Sequence, residues 1–499
     1  MDYRELLRKK IDENKEEMFI FLKDLIAIRS VAGDAVKVKA KEAGDKKTEV
    51  LPFGEGVHKA FGFMLQKAQK EGFETENAEN YGGHIEFGGY IYDGSGEMTG
   101  TSPEVMGIVC HLDTVPEGEG WKYDPFGCER DGDRIYGRGT IDDKGPAVAV
   151  FFAMKALKEC GLIPEKKVRL ILGLDEETKW EGMEHYLSEF QAPDFGFTPD
   201  AEFPLIYGEK GIINFDIASK FPKTDNKGLA LRSFKGGQAV NMVADNARVI
   251  INSDKTERYQ EIKEQAAAFR NEKDAVIKTK VIGKSLEITT GGVSAHGSKP
   301  ELGVNAISVM MDFLGQFDFT NEDINDFIDF YNRHIGYEIN GGSLGCGFSD
   351  DPSGQLTVNV GKIEMDTRAV RLSMNVRYPV TQSDTKVYEG IAPVIERYDL
   401  GIIKKLHHEP LYRSLDDPMV KTLLAVYREH TGDTESAPKV IGGGTYARAM
   451  DNCIAFGASF PGQRDIAHQK DEFINASDMI KMTNIFADAI YRLSKSGIM

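Results

Sequence analysis

The chain has 499 residues, more than a single hydrophobic core supports, so two or more domains are expected. Hydrophobic residues make up 41% and charged residues 28%, the balance of a soluble globular protein. With 79 acidic against 61 basic residues the net charge is -18, which argues against nucleic acid or an anionic membrane as partner and weakly favours a site that gathers divalent cations.

The five cysteines, Cys110, Cys128, Cys160, Cys346 and Cys453, are odd in number and scattered, with no C-x-x-C pair. A disulfide framework or thiolate zinc site is therefore not expected, and a reducing cytoplasm fits. Residues 1–30 show apolar positions at helical spacing and no apolar run behind a basic start, so they predict an amphipathic helix rather than a signal sequence. No apolar run approaches the roughly 18 residues that crossing a bilayer requires.

In chain order, residues 31–56, rich in Lys, Gly and Glu, read as a long exposed loop, followed by a helix over 57–70. Strands are predicted at 82–92, 105–110, 168–174 and 195–198, with a strong helix at 147–159 closed by Cys160-Gly161 and Pro164. Strands alternating with helices predict a mostly parallel sheet covered on both faces. From about 209 to 404 the texture changes to alternating strands (212–217, 247–252, 276–282, 285–290, 355–362, 369–378) with helices at 256–270, 305–317 and 385–397 and a polar, acidic patch at 321–329. Strand-helix-strand occurs twice there, which predicts an inserted antiparallel α+β domain with two similar halves. Residues 405–499 return to helices (417–431, 479–494) around a buried strand at 453–458. The expected organisation is a catalytic α/β domain from 1–208 and 405–499, with a mixed, mostly parallel sheet, interrupted by a second domain at 209–404.

The strand at 105–110 runs into His111-Leu112-Asp113. Read alone, a His-x-Asp at a strand end is a water-capped surface pair. Further groups of the same chemistry follow in order: Asp142 after the turn Gly137-Arg138-Gly139, Glu176 and Glu177 after the strand at 168–174, Asp200 after 195–198, and the late His468. In open α/β sheets, sites form beyond the carboxyl ends of strands. Imidazoles and carboxylates suit zinc, manganese or cobalt. His111, Asp142, Glu177, Asp200 and His468 are therefore the candidate ligands of a two-metal site, with Asp142 a candidate bridge because it opens a helix whose N–H groups favour negative charge. Asp113 could accept a hydrogen bond from the His111 ring and fix its tautomer. Glu176, next to a candidate ligand, is left free to move protons. His58, His84, His185, His334 and His430 stand outside these motifs and are read as structural or surface residues, and His407 and His408 as exposed.

His111-x-Asp113, Gly139-Thr140-Ile141-Asp142-Asp143-Lys144-Gly145, Asp175-Glu176-Glu177 and His468 together resemble the M20 metallopeptidase family, from about residue 15 onward. Pro199-Asp200-Ala201-Glu202-Phe203-Pro204 and the large middle domain are most similar to the PepV-type bacterial dipeptidases. The resemblance implies a zinc-peptidase-like catalytic domain and two divalent ions, Zn(2+) or Mn(2+), one on His111, Asp142 and Asp200, the other on Asp142, Glu177 and His468. It implies Glu176 as the general base acting on a metal-bridging water, and a cis peptide between Asp142 and Asp143. The middle domain resembles the family's lid, with His296 in Gly291-Gly292-Val293-Ser294-Ala295-His296-Gly297-Ser298 as the oxyanion-stabilising imidazole.

Asn241 and Arg377 resemble the lid residues that hold substrate. An Arg can take a carboxylate through two parallel bonds, and Gly443, Gly444 and Thr445 could offer backbone N–H groups to the same carboxylate. The family often has Asp where Tyr446 stands, which leaves Tyr446 and Arg448 without an assigned role. The reading is a cytoplasmic, monomeric metallo-dipeptidase acting on dipeptides with a free N-terminus. Its competitors are an N-acyl or N-succinyl amino acid deacylase on the same metal core, and a metal-dependent binding protein without catalysis.

Overall fold

The strand Val105–His111 is buried at every position, as an apolar run covered on both faces of a sheet must be. The computed structural model, which describes residues 2–39, 48–93, 95, 97–222, 228–255 and 257–495, forms two compact units. One comprises Met1–Tyr207, Arg413–Lys439 and Gly444–Met499; the other comprises Gly208–Tyr412 and Val440–Gly443.

In the first unit a mixed sheet runs in the order Cys453–Ala455, Phe195–Thr198, Val105–His111, Lys167–Gly173, Gly83–Gly88 and Glu74–Asn77. The first four are mutually parallel, Gly83–Gly88 runs antiparallel to them, and Glu74–Asn77, antiparallel to Gly83–Gly88, runs in their direction. Register pairs Gly173 with His111 and Phe197 with Ile108. The carboxyl ends of three parallel strands are thereby brought to one edge, and the polar motifs that follow each strand emerge together. The helix Lys144–Glu159 is buried over almost its whole length and packs against Tyr3–Ile26, Ala476–Leu493 and the central strand. A small sheet of Glu129–Asp131, Arg134–Tyr136 and Phe473–Asn475 ties the turn at 137–143 to the stretch before Phe473, with Gly137 N–H donating to Glu472 O at 2.9 Å.

The second unit holds one eight-stranded sheet whose adjacent strands are all antiparallel. Val276–Ile282, Ser285–Gly291, Asn246–Asn252 and Ala230–Gly236 form one half; Thr357–Asp366, Ala369–Tyr378, Gly211–Lys220 and Gly401–His408 form the other. Burial alternates along Asn246–Asn252 and Ser285–Gly291, the period of a sheet with one face against a core. The helix Ala306–Leu314 packs on these strands.

Several sequence expectations change. The stretch 31–56 is not all loop: Val36–Lys39 pairs with Thr48–Leu51 and the next helix begins at Glu55, while 40–47 lie outside the described residues. The acidic patch at 321–329 is part of the helix Glu322–His334, capped by the Asn321 side chain and burying Ile324, Phe327, Ile328 and Tyr331. The expected boundary at 404/405 falls inside the strand Gly401–His408, held to the second unit by pairing with Gly211–Lys220. The helix expected at 256–270 runs Arg258–Lys273, and residue 256 lies outside the described residues. Among the described residues no helix is long and apolar enough to cross a membrane.

Candidate metal centre

His111 closes the central strand, and its ring is 1% exposed. Its Nδ1 lies 2.9 Å from the backbone oxygen of Asp113 and 3.5 Å from the Asp113 carboxylate. The ring therefore donates to the carbonyl, not the side chain. That frees the Asp113 carboxylate, itself fully buried, to accept from Glu176 N–H and Glu177 N–H, both at 3.1 Å. Asp113 fixes the His111 tautomer through its main chain and the Glu176–Glu177 turn through its side chain.

With Nδ1 occupied, His111 Nε2 faces Asp142 Oδ1 at 2.9 Å and Asp200 Oδ2 at 3.8 Å. The other Asp142 oxygen lies 2.9 Å from His468 Nε2, which is also 2.9 Å from Glu177 Oε1. Two groups of side chains result, His111–Asp142–Asp200 and Asp142–Glu177–His468, each offering ligand atoms within 4.8 Å of one another and sharing Asp142. His468 holds a left-handed backbone (φ 62°), a conformation that costs a non-glycine residue on the order of 1 kcal/mol or more and clusters at functional sites. The Asp142–Asp143 peptide is cis.

The charge on this cluster is one-sided. Burial, reinforced by Glu177, Asp113 and Asp142, pushes the Glu176 carboxyl well up. Burial and then Asp142 do the same to Asp200. Against the upward push of burial, hydrogen bonds from His111 and His468 hold Asp142 low. Hydrogen bonds to Asp142 and Glu177 raise His468 to about 11. Burial raises Asp143 to about 8, and its Oδ1 is buried without a hydrogen-bond partner. Packing so many carboxylates out of water is costly unless positive charge joins them. Two imidazoles and three carboxylates without a thiolate make a donor set that divalent zinc, manganese or cobalt accepts. The residues present fit a divalent cation.

Residues to which the sequence assigned no role hold this arrangement. Glu472 is fully buried; it pairs with Arg138 Nη1 at 2.5 Å and accepts from Gly139 N–H and Ile141 N–H at 3.0 Å each, pinning the turn that delivers Asp142. Gly139 sits at φ +90°, open to glycine at no steric cost. Lys144 is buried and donates to Leu25 O and Ile28 O; burial lowers it to about 7. Tyr446, 1% exposed, donates to Asp175 Oδ1 at 3.2 Å.

The remaining candidates lie in the second unit, except Gly444 and Thr445. His296 is exposed, with Nδ1 2.6 Å from Ser298 Oγ. The main chain brings Asn241 beside this loop, since Gly297 N–H donates to Asn241 O at 2.7 Å. Arg377, 5% exposed, donates to Asn375 Oδ1 and to Gly442 O, both at 3.0 Å. A Cβ on Gly442 would meet Ser298 Cβ at 2.9 Å. His296, Asn241, Arg377 and the 442–443 turn are thus neighbours within one unit. Thr445 instead caps the short turn Tyr446–Ala449, its hydroxyl accepting from Ala447 N–H.

A parallel sheet whose strand ends converge on a cation-ready set of acids and imidazoles, with an inserted antiparallel α+β unit, defines a metallopeptidase architecture. Residues 107–492 match the model of peptidase family M20/M25/M40, and the chain belongs to that family. It is 36% identical over 496 residues to the Bacillus subtilis protein named "Putative dipeptidase YtjP", covering 98% of this chain and 99% of that one. A Staphylococcus haemolyticus protein of the same description is 34% identical over 495 residues, covering 98% of this chain and 100% of its own. Among solved structures, human carnosine dipeptidase 1 superposes with a TM-score of 0.53 at 15% identity, covering 99% of each chain. The aminoacylhistidine dipeptidase of Vibrio alginolyticus gives 0.53 at 15%, covering 95% of this chain and 96% of that one. At such identities these two show a shared fold.

Proposed function

We propose that the protein is a metal-dependent dipeptidase that uses two divalent ions, Zn(2+) or Mn(2+). His111, Asp142 and Asp200 would hold one; Asp142, Glu177 and His468 would hold the other. The observation that carries this reading is the pair of ligand groups sharing the Asp142 carboxylate, one oxygen toward each imidazole. The names of the full-length bacterial relatives supply the substrate class. Bound cations would polarise the scissile carbonyl and lower the pKa of the attacking water.

Glu176 is the base. It is left out of both ligand groups and adjoins Glu177 in the chain; bound cations would offset the burial and neighbouring acids that push its carboxyl up. It takes a proton from the water and passes it to the leaving amine. Asp113 holds the Glu176 backbone and the His111 ring in one frame. We assign His296 of the second unit to the oxyanion, and Asn241, Arg377 and the backbone donor of Gly443 there, together with those of Gly444 and Thr445 of the first unit, to the substrate carboxylate, on side-chain chemistry and family likeness. We further propose that the protein acts as a monomer in the cytoplasm.

Metal-stripped protein, with each metal restored in turn, is assayed on Ala-Ala and on N-acetyl and N-succinyl amino acids. Dipeptide hydrolysis that depends on added metal is the expected result. Turnover of the acylated amino acids without dipeptide turnover would replace this reading with a deacylase.

A further inference from the structure

The Asp175–Glu177 turn carries both the proposed base and a proposed ligand, yet the helix that follows it, Glu181–Glu189, starts only after Trp180 in the left-handed region (φ 65°). Such a conformation in a bulky residue persists only where the surroundings over-determine it. Two aromatic residues provide that support. The Trp180 indole N–H donates to Glu176 O at 2.8 Å, gripping the main chain of the base itself. Its ring packs on Tyr446 with centroids 5.1 Å apart at 60°.

Tyr446 in turn donates its hydroxyl to Asp175 Oδ1, whose carboxylate also accepts from Gly182 N–H and whose carbonyl accepts from Thr178 and Trp180 N–H. On its other side Tyr446 stands edge-on to the His111 ring, centroids 6.3 Å apart at 85°. The strand beneath has been cut away for it: a Cβ on Gly173 would fall 2.2 Å from Tyr446 Cε2. Tyr446 therefore touches the residue before the base, the tryptophan that holds the base's carbonyl, and the first imidazole of the metal centre.

We infer that Tyr446 is a positioning residue, clamping the Asp175–Glu177 turn through Asp175 and Trp180 so that the Glu176 carboxylate stays on its proton-transfer path. This rests on the reading of Glu176 as base. The clamp itself is testable without catalysis. Tyr446→Phe keeps the ring and removes the hydroxyl; Trp180→Phe keeps an aromatic ring and removes the indole N–H. Tyr427→Phe is the control, since it also removes a buried tyrosine hydroxyl, one that donates to Asp433. Hydrogen exchange of peptides spanning 175–182 is followed by mass spectrometry, with bound metal per chain and steady-state hydrolysis of Ala-Ala measured alongside.

In both test variants the 175–182 amides should exchange at least about 10-fold faster, as local support is lost. The kcat should fall about 10-fold, with KM within about two-fold and metal content unchanged, since small misplacements of a reacting group act on rate. The control should move none of these. Unchanged exchange in both test variants overturns the clamp whether or not the protein hydrolyses dipeptides. Faster exchange with an unaltered kcat in an active wild type overturns its role in the reaction. A wild type that hydrolyses no dipeptide defeats the dipeptidase reading alone, and exchange then decides the clamp.

Discussion

The two units present the candidate imidazoles His111 and His296 in opposite ways. In the first, His111 and the acids around it are fixed from behind, although the His468 side chain is 53% exposed. Asp113 takes two backbone N–H groups of the Glu176–Glu177 turn, and Glu472 takes two of the turn before Asp142. His111 is 1% exposed. In the second, His296 is exposed in a Gly/Ser loop, steadied by Ser298, and Asn241 is exposed as well. Residues that must bind an ion or move a proton along one path need preorganisation, and those that meet a variable substrate keep freedom. The contrast predicts that lesions in the first unit remove metal or rate outright, while lesions in the second reduce rate and leave the metal bound.

The largest effect should follow metal removal. Chelation should take dipeptide hydrolysis to background, and restored Zn(2+) or Mn(2+) should return it. Activity that survives with no bound metal by elemental analysis would erase the distinction between the units. Next is Glu176→Gln, which removes the proposed proton acceptor and keeps the shape. The kcat should fall by about 10²–10⁴, the range for a positioned general base, with metal content unchanged. His296→Ala should follow at about 10²–10³ in kcat, the loss usual for one oxyanion donor, again with full metal content. A His296 variant that loses metal, or a Glu176 variant that keeps its rate, would reverse the roles given to the two units.

The parts of the site that were legible in the sequence are those that sit directly after strands. His111, Glu176, Glu177 and Asp200 follow apolar runs whose type and end are marked by composition, and sheet register does the rest. What holds them was not legible. The Arg138–Glu472 pair spans 334 positions and the Tyr446–Asp175 bond 271, and no local pattern marks either end as a partner of the other. A fully buried Glu reads like any acid in a polar loop until the fold closes over it. The helix Glu322–His334 was missed for a different reason. Its apolar residues Ile324, Phe327, Ile328 and Tyr331 keep helical spacing, but the Asn and Asp residues between them make the stretch read as a polar, acidic patch. The strand Ala230–Gly236 was hidden in the same way, its inward Leu231 and Phe234 set among Arg232, Ser233 and Lys235.

The smallest effect concerns the first unit's rigidity away from its acids. His84, 3% exposed, lies in the strand Gly83–Gly88 with Nδ1 2.9 Å from the Tyr186 hydroxyl. Burial, with help from the nearby Arg169 charge, lowers it from 6.5 to about 3. Above pH 6.5 the ring is neutral in both the folded and the unfolded chain, and its contribution to stability is complete. Below pH 6.5 the unfolded chain takes up a proton that the folded one refuses. Stability is therefore lost as pH falls from 6.5 toward about 3. At pH 5 the deficit is 1.5 pH units below the unfolded pKa, or about 2 kcal/mol at 1.36 kcal/mol per unit. His84→Gln keeps a group able to pair with Tyr186 and cannot protonate. Between pH 7 and pH 5 its melting temperature should fall less than that of wild type, by on the order of 4 °C for a unit of this size. Equal falls in the two proteins would mean that His84 takes its proton in the fold as readily as in solvent, and that this flank of the sheet is as yielding as the loops of the second unit.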